Sequence, residues 1–301
     1  MTEQITASVI GLGSMGWGAA VSLVRAGIST NGADIRDDVL DRFASEGGTP
    51  CKSTAVAAEA DVIFVFVVNA TQTREVLFGA EGAVSRAKPG TIFVLCVTMP
   101  PSDAVAIATE LRDAGMVSID APVSGGSAKA LTGEMTIMAS GPDAAFERAA
   151  PAIDAISTKV FRLGTEPGQG SRVKMINQLL AGVHIAACAE AMVLGAKVGV
   201  DLGTLYDVIR DCAGNSWMFE NRGAHIVAGD YTPHSAVDIF VKDLGIVASE
   251  AGAAACPTPL TETALSLFET ASGDGLGRED DAAVAKILAA RAGIALPGQA
   301  G

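Results

Sequence analysis

Short unbroken runs of apolar residues punctuate the first half of the chain, and between most of them the apolar positions fall into helical spacing. The runs are "ASVIGLG", "GADI", "DVIFVFVV", "TIFVLCV" and "MVSIDAPV". A strand with one wet face alternates apolar and polar residues, whereas a strand covered by helices on both faces is apolar throughout. The pattern therefore predicts a parallel sheet with crossover helices. After "GEMTIMASG", a helix-and-strand pair, "AAFERAAPAIDAI" then "KVFRLG", is expected to close that sheet. From about Pro167 the strand signals stop. Helices are predicted over 170–198, 202–212, 217–228, 236–255, 258–272 and 279–293, separated by Gly, Pro and Asp. The boundary falls between Thr165 and Gly168, giving an α/β domain over 1–166 and an all-α domain over 167–301, joined by a long helix. The tail "LPGQAG" is expected to fray, and no internal repeat or low-complexity segment interrupts the scheme.

Composition narrows the partners. With 301 residues, 49% hydrophobic and 18% charged, the chain can bury a sizeable core. Its 34 acidic and 21 basic side chains leave a net charge of -13, which repels nucleic acid and anionic membrane surfaces alike and points to small-molecule partners. Five scattered cysteines without a CxxC indicate neither a disulfide framework nor a zinc site, and fit a reducing cytoplasm. The N-terminus has no signal-peptide pattern. Residues 179–196 are apolar but carry His184 and Glu190 among many small residues, which predicts a buried helix rather than a membrane span. The small residues of that helix also predict packing against a second subunit, as a homodimer or homotetramer.

"VIGLGSMG" sets Gly11, Gly13 and Gly16 in GxGxxG spacing, directly after a predicted strand and at the start of a predicted helix. In that context the first glycine allows the tight turn, the second lets the backbone approach a pyrophosphate, and the third lets helix and strand pack closely. The loop Gly11, Leu12, Gly13, Ser14, Met15 and Gly16 is thus a candidate dinucleotide site on a Rossmann-type fold. Asp34, eighteen residues after Gly16, falls where a carboxylate would accept hydrogen bonds from adenosine ribose hydroxyls. A carboxylate there repels a 2'-phosphate, so NAD is favoured over NADP, although Arg36 lies close enough to meet a phosphate. "DAPVSGGSAKALTGEM" places Ser124, Gly125 and Gly126 just past a predicted strand, where two glycine amides and a hydroxyl can receive an anion.

"GQGSRVKMINQ" then raises a question, because it sets Lys174 at the head of an almost wholly apolar helix, three residues before Asn177. An unpartnered buried ammonium costs several kcal/mol, so such a lysine either turns to solvent or has a task. Together with "GLGSMGWGAAVSLVRAG", "DAPVSGGSAKALTGEM" and "KDLGIV", this stretch resembles the four ordered signatures of the β-hydroxyacid dehydrogenase family, over residues 8 to about 290. The resemblance implies a nicotinamide-dependent oxidation of a small hydroxy acid, with Lys174 catalytic and Asn177 orienting the substrate. It implies that Ser124, Gly125 and Gly126 hold the substrate carboxylate, that Lys242 lies near the nicotinamide with Phe240 beside it, and that Thr98 lies near the nicotinamide ribose. Val68 and Asn69 stand where many members have Leu-Pro, and Val97 where serine is common, which alters two cofactor loops. Stretches such as "AGNSWMFENR" and "GDYTPHSAVDIFVKDLG" are similar to those of members acting on L-threonate, implying that substrate, with 3-hydroxyisobutyrate or tartronate semialdehyde as alternatives.

The chemistry is consistent on its own terms. Hydride transfer from an alcohol to a nicotinamide needs a base for the hydroxyl proton. A lysine, whose ordinary pKa in water is about 10.4, serves near neutral pH only where burial and nearby positive charge lower it. A catalytically silent nucleotide-binding module is the rival from another class; Lys174, the lack of a basic tail and the acidic charge weigh against it. His184, His225 and His234 lack metal-ligand spacing, so no metal is expected. Trp217 and Phe219 are expected to be packing residues, with one of them an equal candidate for lining the substrate pocket, and Asp280 and Asp281 to cap the last helix.

Overall fold

The computed structural model describes residues 5–298 and divides into two compact units, Met1–Lys174 and Met175–Gly301. The first holds a six-stranded parallel sheet made of β1 (Thr6–Ile10), β2 (Ser29–Ala33), β3 (Thr49–Cys51), β4 (Val62–Val65), β5 (Ile92–Leu95) and β6 (Val117–Asp120), in the order β3-β2-β1-β4-β5-β6. Alternate side chains of one strand feed different cores. Val62 and Phe64 of β4 join Ala7, Val9, Ile92 and Val94 in one cluster, while Ile63 and Val65 join Ile10, Phe93 and Leu95 in the other. Two buried faces are the physical reason for the unbroken apolar runs. Helices α1 (Ser14–Arg25), α2 (Asp37–Ser45), α3 (Thr54–Ala57), α4 (Ala70–Phe78) and α5 (Pro101–Asp113) provide the crossovers.

The strand order reverses between β1 and β4, which pair directly from Ala7↔Val62 to Ile10↔Val65. Chain segments leaving these two strands diverge there, opening the crevice where ligands of such sheets bind. The glycine-rich loop follows β1, and Val68 and Asn69 follow β4.

Two expectations need correction. The strands after β6 do not close the parallel sheet: β7 (Val123–Ser124), β8 (Met135–Ala139) and β9 (Ser157–Arg162) form a separate three-stranded sheet, with β7–β8 antiparallel and β8–β9 parallel. Among the described residues, an isolated antiparallel bridge, Asp120↔Ser140, links the two. Helices α6 (Gly126–Leu131) and α7 (Asp143–Ile156) connect these strands. Strand β3 was also absent from the sequence pattern, being three residues long, exposed at Thr49 and Pro50, and on the sheet edge.

Helix α8 (Gln169–Lys197) spans the junction of the two units, and the second unit continues with α9 (Leu202–Arg210), α10 (Trp217–Ala228), α11 (Val237–Ala253), α12 (Pro259–Ala271) and α13 (Val284–Ala292). Asp201 caps α9 by accepting from Thr204 N at 2.8 Å, and Ser216 caps α10 through Phe219 N at 3.0 Å. The core gathers Ile185, Met192, Phe219, Leu244 and Phe268, with Phe240 stacked on Phe268 at 5.3 Å. α8 is less buried than its sequence predicted, because Ile176, Leu180 and Leu194 are exposed. By length and composition it is the one described helix that could cross a membrane.

Near the C-terminus, Arg222 forms a bidentate pair with fully buried Asp281. Asp280 accepts from His234 N at 2.9 Å and Ala282 N at 3.1 Å and bonds His225 Nδ1 at 2.9 Å. Asp280 thus caps the short 3-10 turn Asp281–Ala283 that precedes α13, whereas Asp281 is an ion-pair partner rather than a cap. Phe219 packs as expected, but Trp217 is 53% exposed. Leu296 is buried, so the start of the "LPGQAG" tail is packed; residues 299–301 lie outside those described.

Candidate active site

The glycine-rich loop is shaped by contacts that no side chain could share. Gly11 has a φ of +91°, and a Cβ there would lie 2.4 Å from the Phe66 carbonyl oxygen. At Gly16 a Cβ would lie 1.8 Å from the Gly11 oxygen. Gly13 differs: its backbone is extended and nothing lies within 4 Å of where its Cβ would be. It forms the N-cap of α1 without a side-chain cap, so the positive end of the helix dipole lies beside open space. Ser14 is exposed and Met15 half-buried at that edge, and Leu12 is buried beneath it. A loop tight on the protein side and clear at Gly13 is a fit for a pyrophosphate.

Asp34 lies one residue past the end of β2, with one oxygen accepting from Leu12 N at 2.8 Å and the other from Arg36 N at 3.0 Å and Arg36 Nε at 2.9 Å. The carboxylate therefore braces the loop directly. Burial opposes its ionisation, but the bonds from Arg36 and Leu12 outweigh burial and hold the carboxyl below its usual range. Arg36 also donates to the Leu12 carbonyl at 3.2 Å, so its guanidinium, weighed above as a phosphate partner, is engaged with Asp34 and the loop. On the next loop Asn69 Oδ1 accepts from Gln72 N at 2.8 Å, and Gln72 Oε1 accepts from Val68 N at 2.9 Å. Asn69 is thus the cap of α4, and its Val68 neighbour is exposed. Thr98 is half-buried just beyond β5, after fully buried Val97.

Ser124 ends β7, and Gly125 and Gly126 follow with φ of +131° and +73°. These values are strained for any residue with a side chain. A Cβ at Gly125 would also lie 2.9 Å from the Lys129 side chain, whereas Gly126 faces open space. The turn is reached from β6, whose last residue, Asp120, begins "DAPVSGGSAKALTGEM" but has a partner that the sequence pattern did not indicate. Asp120 is buried and accepts from Ser171 N at 2.9 Å and Ser171 Oγ at 2.7 Å, and Gly170 N donates to Ser140 Oγ at 3.3 Å. A carboxylate on the first turn of α8 opposes the positive helix end and fixes where that helix starts, one turn before Lys174. Burial pushes the Asp120 carboxyl up, and the Ser171 bonds act against this.

Lys174 is buried at 7% exposure in the second turn of α8, so it does not snorkel, and half-buried Asn177 follows one turn later. In the second unit Asn177 Nδ2 donates to Gln178 Oε1 at 2.9 Å, buried Gln178 donates to buried Asp243, and Lys242 pairs with the same carboxylate. Gln178 and Asp243 lie within the stretches "GQGSRVKMINQ" and "KDLGIV", but their pairing left no mark in the sequence, because the two residues are far apart along the chain. Phe240 is in this unit's core, stacked on Phe268, and only 2% exposed. The structure thus joins Gly11–Gly16 with Asp34, and Asn177 with Lys242. Among the described residues no cluster of three or more His, Cys, Asp or Glu side chains could hold a metal.

Comparison with known proteins matches this order of motifs. Residues 6–164 match the NAD binding domain of 6-phosphogluconate dehydrogenase, and residues 168–288 match the family described as NAD-binding of NADP-dependent 3-hydroxyisobutyrate dehydrogenase. The chain is 55% identical to an L-threonate dehydrogenase of Escherichia coli O6:H1 over 298 residues, covering 98% of each. It is also 55% identical to that of Cupriavidus necator over 293 residues, 97% of this chain and 98% of the relative. The crystal structure of a 3-hydroxyisobutyrate dehydrogenase from Salmonella typhimurium superposes with a TM-score of 0.90 at 51% identity, covering 94% of this chain and 99% of that one. A glycine loop braced by Asp34 and a buried lysine on a long helix, carried by a chain whose two parts match these families in order, make the protein a member of the β-hydroxyacid dehydrogenase family.

Proposed function

We propose that this enzyme oxidises L-threonate to its 2-oxo acid with NAD. The observation that carries the substrate is the 55% identity, over nearly the whole length of both chains, to proteins named L-threonate dehydrogenase. Bound NAD supplies the hydride acceptor. In this reading Lys174 takes the proton of the substrate hydroxyl during oxidation and returns it to the nascent alkoxide in reduction. Its 7% exposure supports that role, since a charged side chain is seldom buried without a specific task. Asn177, at i+3 on the same helix, orients the hydroxyl. Ser124, Gly125 and Gly126 receive the substrate carboxylate, which the positive-φ turn at the two glycines and the open space at Gly126 support.

Gly11 to Gly16 and Asp34 hold the dinucleotide, with Val68, Asn69 and Thr98 along its path and Lys242 near the nicotinamide. Because Phe240 is a core residue, its part is to seat α11, which carries Lys242. The clear volume at Gly13 and the bracing of Leu12 by Asp34 support the dinucleotide site. Asp34 supports NAD over NADP, by repulsion of a 2'-phosphate. The exposed apolar residues Ile176, Leu180 and Leu194 of α8 support a homodimer or homotetramer, and the free cysteines are consistent with the cytoplasm.

The 51% identity to a protein titled 3-hydroxyisobutyrate dehydrogenase favours a second reading, the same mechanism on a branched 3-hydroxy acid. A turnover screen of L-threonate, other four- and five-carbon sugar acids, 3-hydroxyisobutyrate and tartronate semialdehyde, each with NAD and NADP forms, decides between them. The first reading expects the highest kcat/KM with L-threonate and NAD. A preference of ten-fold or more for 3-hydroxyisobutyrate would replace it with the second.

A further inference from the structure

Lys129 lies in the last turn of the short helix α6 and is exposed, yet its stem is held in place. A Cβ at Gly125 would meet Lys129 Cβ and Cδ at 2.9 Å each and Cγ at 3.4 Å, so three carbons of the lysine lie against the middle residue of the Ser124, Gly125 and Gly126 turn. The helix beneath the stem is anchored as well. Ala130, the next residue, is fully buried, and its backbone comes so close to α1 that a Cβ at Gly18 would lie 2.5 Å from the Ala130 carbonyl carbon. Ser22 Oγ donates to the Ala130 oxygen at 3.1 Å, and Arg25 Nη1 donates to the Leu131 oxygen at 3.2 Å. α6 is thus fastened to α1, the helix that starts at the glycine-rich loop, and Lys129 is fastened with it.

Among the described residues the Lys129 ammonium has neither a hydrogen-bond nor an ion-pair partner. Glu134, the nearest acid along the sequence, is engaged with Thr132 Oγ1 at 2.8 Å. An exposed lysine ordinarily lays its stem on apolar surface and leaves its head in water. Here the stem covers a glycine of an anion cradle, and the ammonium is two bonds beyond the Cδ that touches it. The cradle itself offers only neutral donors, amides and a hydroxyl. The net charge of the chain, -13, repels the carboxylate that those donors are to receive, and a cation beside them opposes that field locally. We propose that Lys129 is a further substrate-binding residue, whose ammonium draws the carboxylate of the hydroxy acid to the Ser124, Gly125 and Gly126 turn and makes the enzyme selective for acid anions over neutral alcohols of the same shape. The proposal rests on the reading of that turn as the carboxylate site.

Steady-state kinetics of the purified enzyme with the best hydroxy acid of the screen, at low and high salt, test this, with the primary amide of the same acid as a competitive inhibitor. Lys129→Met keeps a stem of similar length and removes the charge. It is expected to raise KM about three- to ten-fold at low ionic strength, with kcat and the NADH Kd within about two-fold of wild type, the pattern of a lost contact that does not involve the reacting atoms. Lys129→Gln, also uncharged, should behave like Lys129→Met, and Lys129→Arg, which keeps the charge, should stay within about two-fold of wild type. At about 0.5 M salt the gap between wild type and Lys129→Met should close to less than about two-fold, because screening shortens the reach of an exposed charge to a few Å. The amide has no carboxylate, so its Ki should be the same for both proteins within about two-fold. An unchanged KM in Lys129→Met at low salt overturns the proposal, as does a fall in kcat alone. An equal loss with acid and amide, or a loss in Lys129→Met that Lys129→Gln does not share, would mean that the stem acts by packing on Gly125 and overturns it as well. Ser124→Ala separates this proposal from the reading beneath it. If Ser124→Ala leaves KM unchanged, the carboxylate site is lost and the proposal with it; a raised KM there beside an unchanged KM in Lys129→Met removes Lys129 alone.

Discussion

Gly13 and Gly16 share one motif but have opposite surroundings, and adding the same methyl group to each separates binding from folding. At Gly16 the new Cβ would lie 1.8 Å from the Gly11 carbonyl oxygen and 2.9 Å from Phe66 Cβ. An ordinary carbon–oxygen contact is about 3.3 Å, so the turn and α1 would have to separate by about 1.5 Å. Both sides of that contact are backbone, which places Gly16→Ala near the upper end of the ~1–3 kcal/mol typical of overpacking. For a domain of this size that is a fall of about 6–12 °C in Tm, with NADH binding lost alongside because the loop itself moves. At Gly13 the backbone has φ -70° and ψ -169°, which alanine adopts freely, and no heavy atom lies within 4 Å of the added carbon. Gly13→Ala should therefore cost less than about 1 kcal/mol of stability. The methyl would nevertheless stand where a pyrophosphate must approach, and a clash of ~1–3 kcal/mol there raises the NADH Kd on the order of ten- to a hundred-fold. Fluorescence titration with NADH and thermal melts of the three proteins measure both quantities. Gly13→Ala that binds NADH within two-fold of wild type would refute the assignment of this loop to the pyrophosphate.

Lys174→Ala should fold, bind NADH almost normally and lose on the order of 10² to 10⁴ in turnover, and the alkaline rise of the oxidation rate should vanish from its pH profile; activity within a few-fold of wild type would return Lys174 to a packing role. Asp34→Ser should narrow the gap in kcat/KM between NAD and NADP, mainly by raising the NAD KM, since it removes the anion and also releases Arg36 from its pair. Wild-type enzyme preferring NADP would contradict that assignment. Arg222→Met should cost about 3–5 kcal/mol by leaving Asp281 buried without its partner. Burial pushes the Asp281 carboxyl up to about 6 even against the bonds from Arg222. A carboxyl whose folded pKa is raised stabilises the fold below its unfolded pKa and loses that contribution as pH rises through the folded value. The Tm deficit of Arg222→Met should therefore shrink between about pH 8 and pH 5.5, and a constant deficit would show that Asp281 does not titrate there.

Much of the fold was open to a local view because its causes are local. β4 and β5 are apolar without a break because both faces of the sheet are covered, and that leaves a mark within four residues. The glycine loop was legible because each glycine answers a steric demand at fixed spacing, such as the 1.8 Å approach at Gly16. Asp201 starts α9 by a side-chain bond three residues long, which is why the C-terminal helices could be bounded from punctuation. Lys174 stood out because a charge at the head of an apolar helix is costly wherever the chain runs next.

Partner choice was decided by the tertiary structure. The periodicity of β8 and β9 says that they are strands, but not that they hydrogen-bond to each other rather than to the edge of the first sheet, since every strand offers the same backbone groups. β3 pairs along only three residues at the edge, too short and too exposed to leave an apolar run. The pairing of the buried polar residues was decided by the fold for the same reason. Asp120 meets Ser171 across 51 positions, Gln178 meets Asp243 across 65, and Asp281 meets Arg222 across 59. A helical or extended pattern fixes the direction of a side chain relative to its own backbone, within a window of a few residues. Which buried donor it meets depends on how the intervening chain closes. Only the folded chain brings those groups within hydrogen-bond range, where burial makes an unpaired member costly enough to hold each pair together.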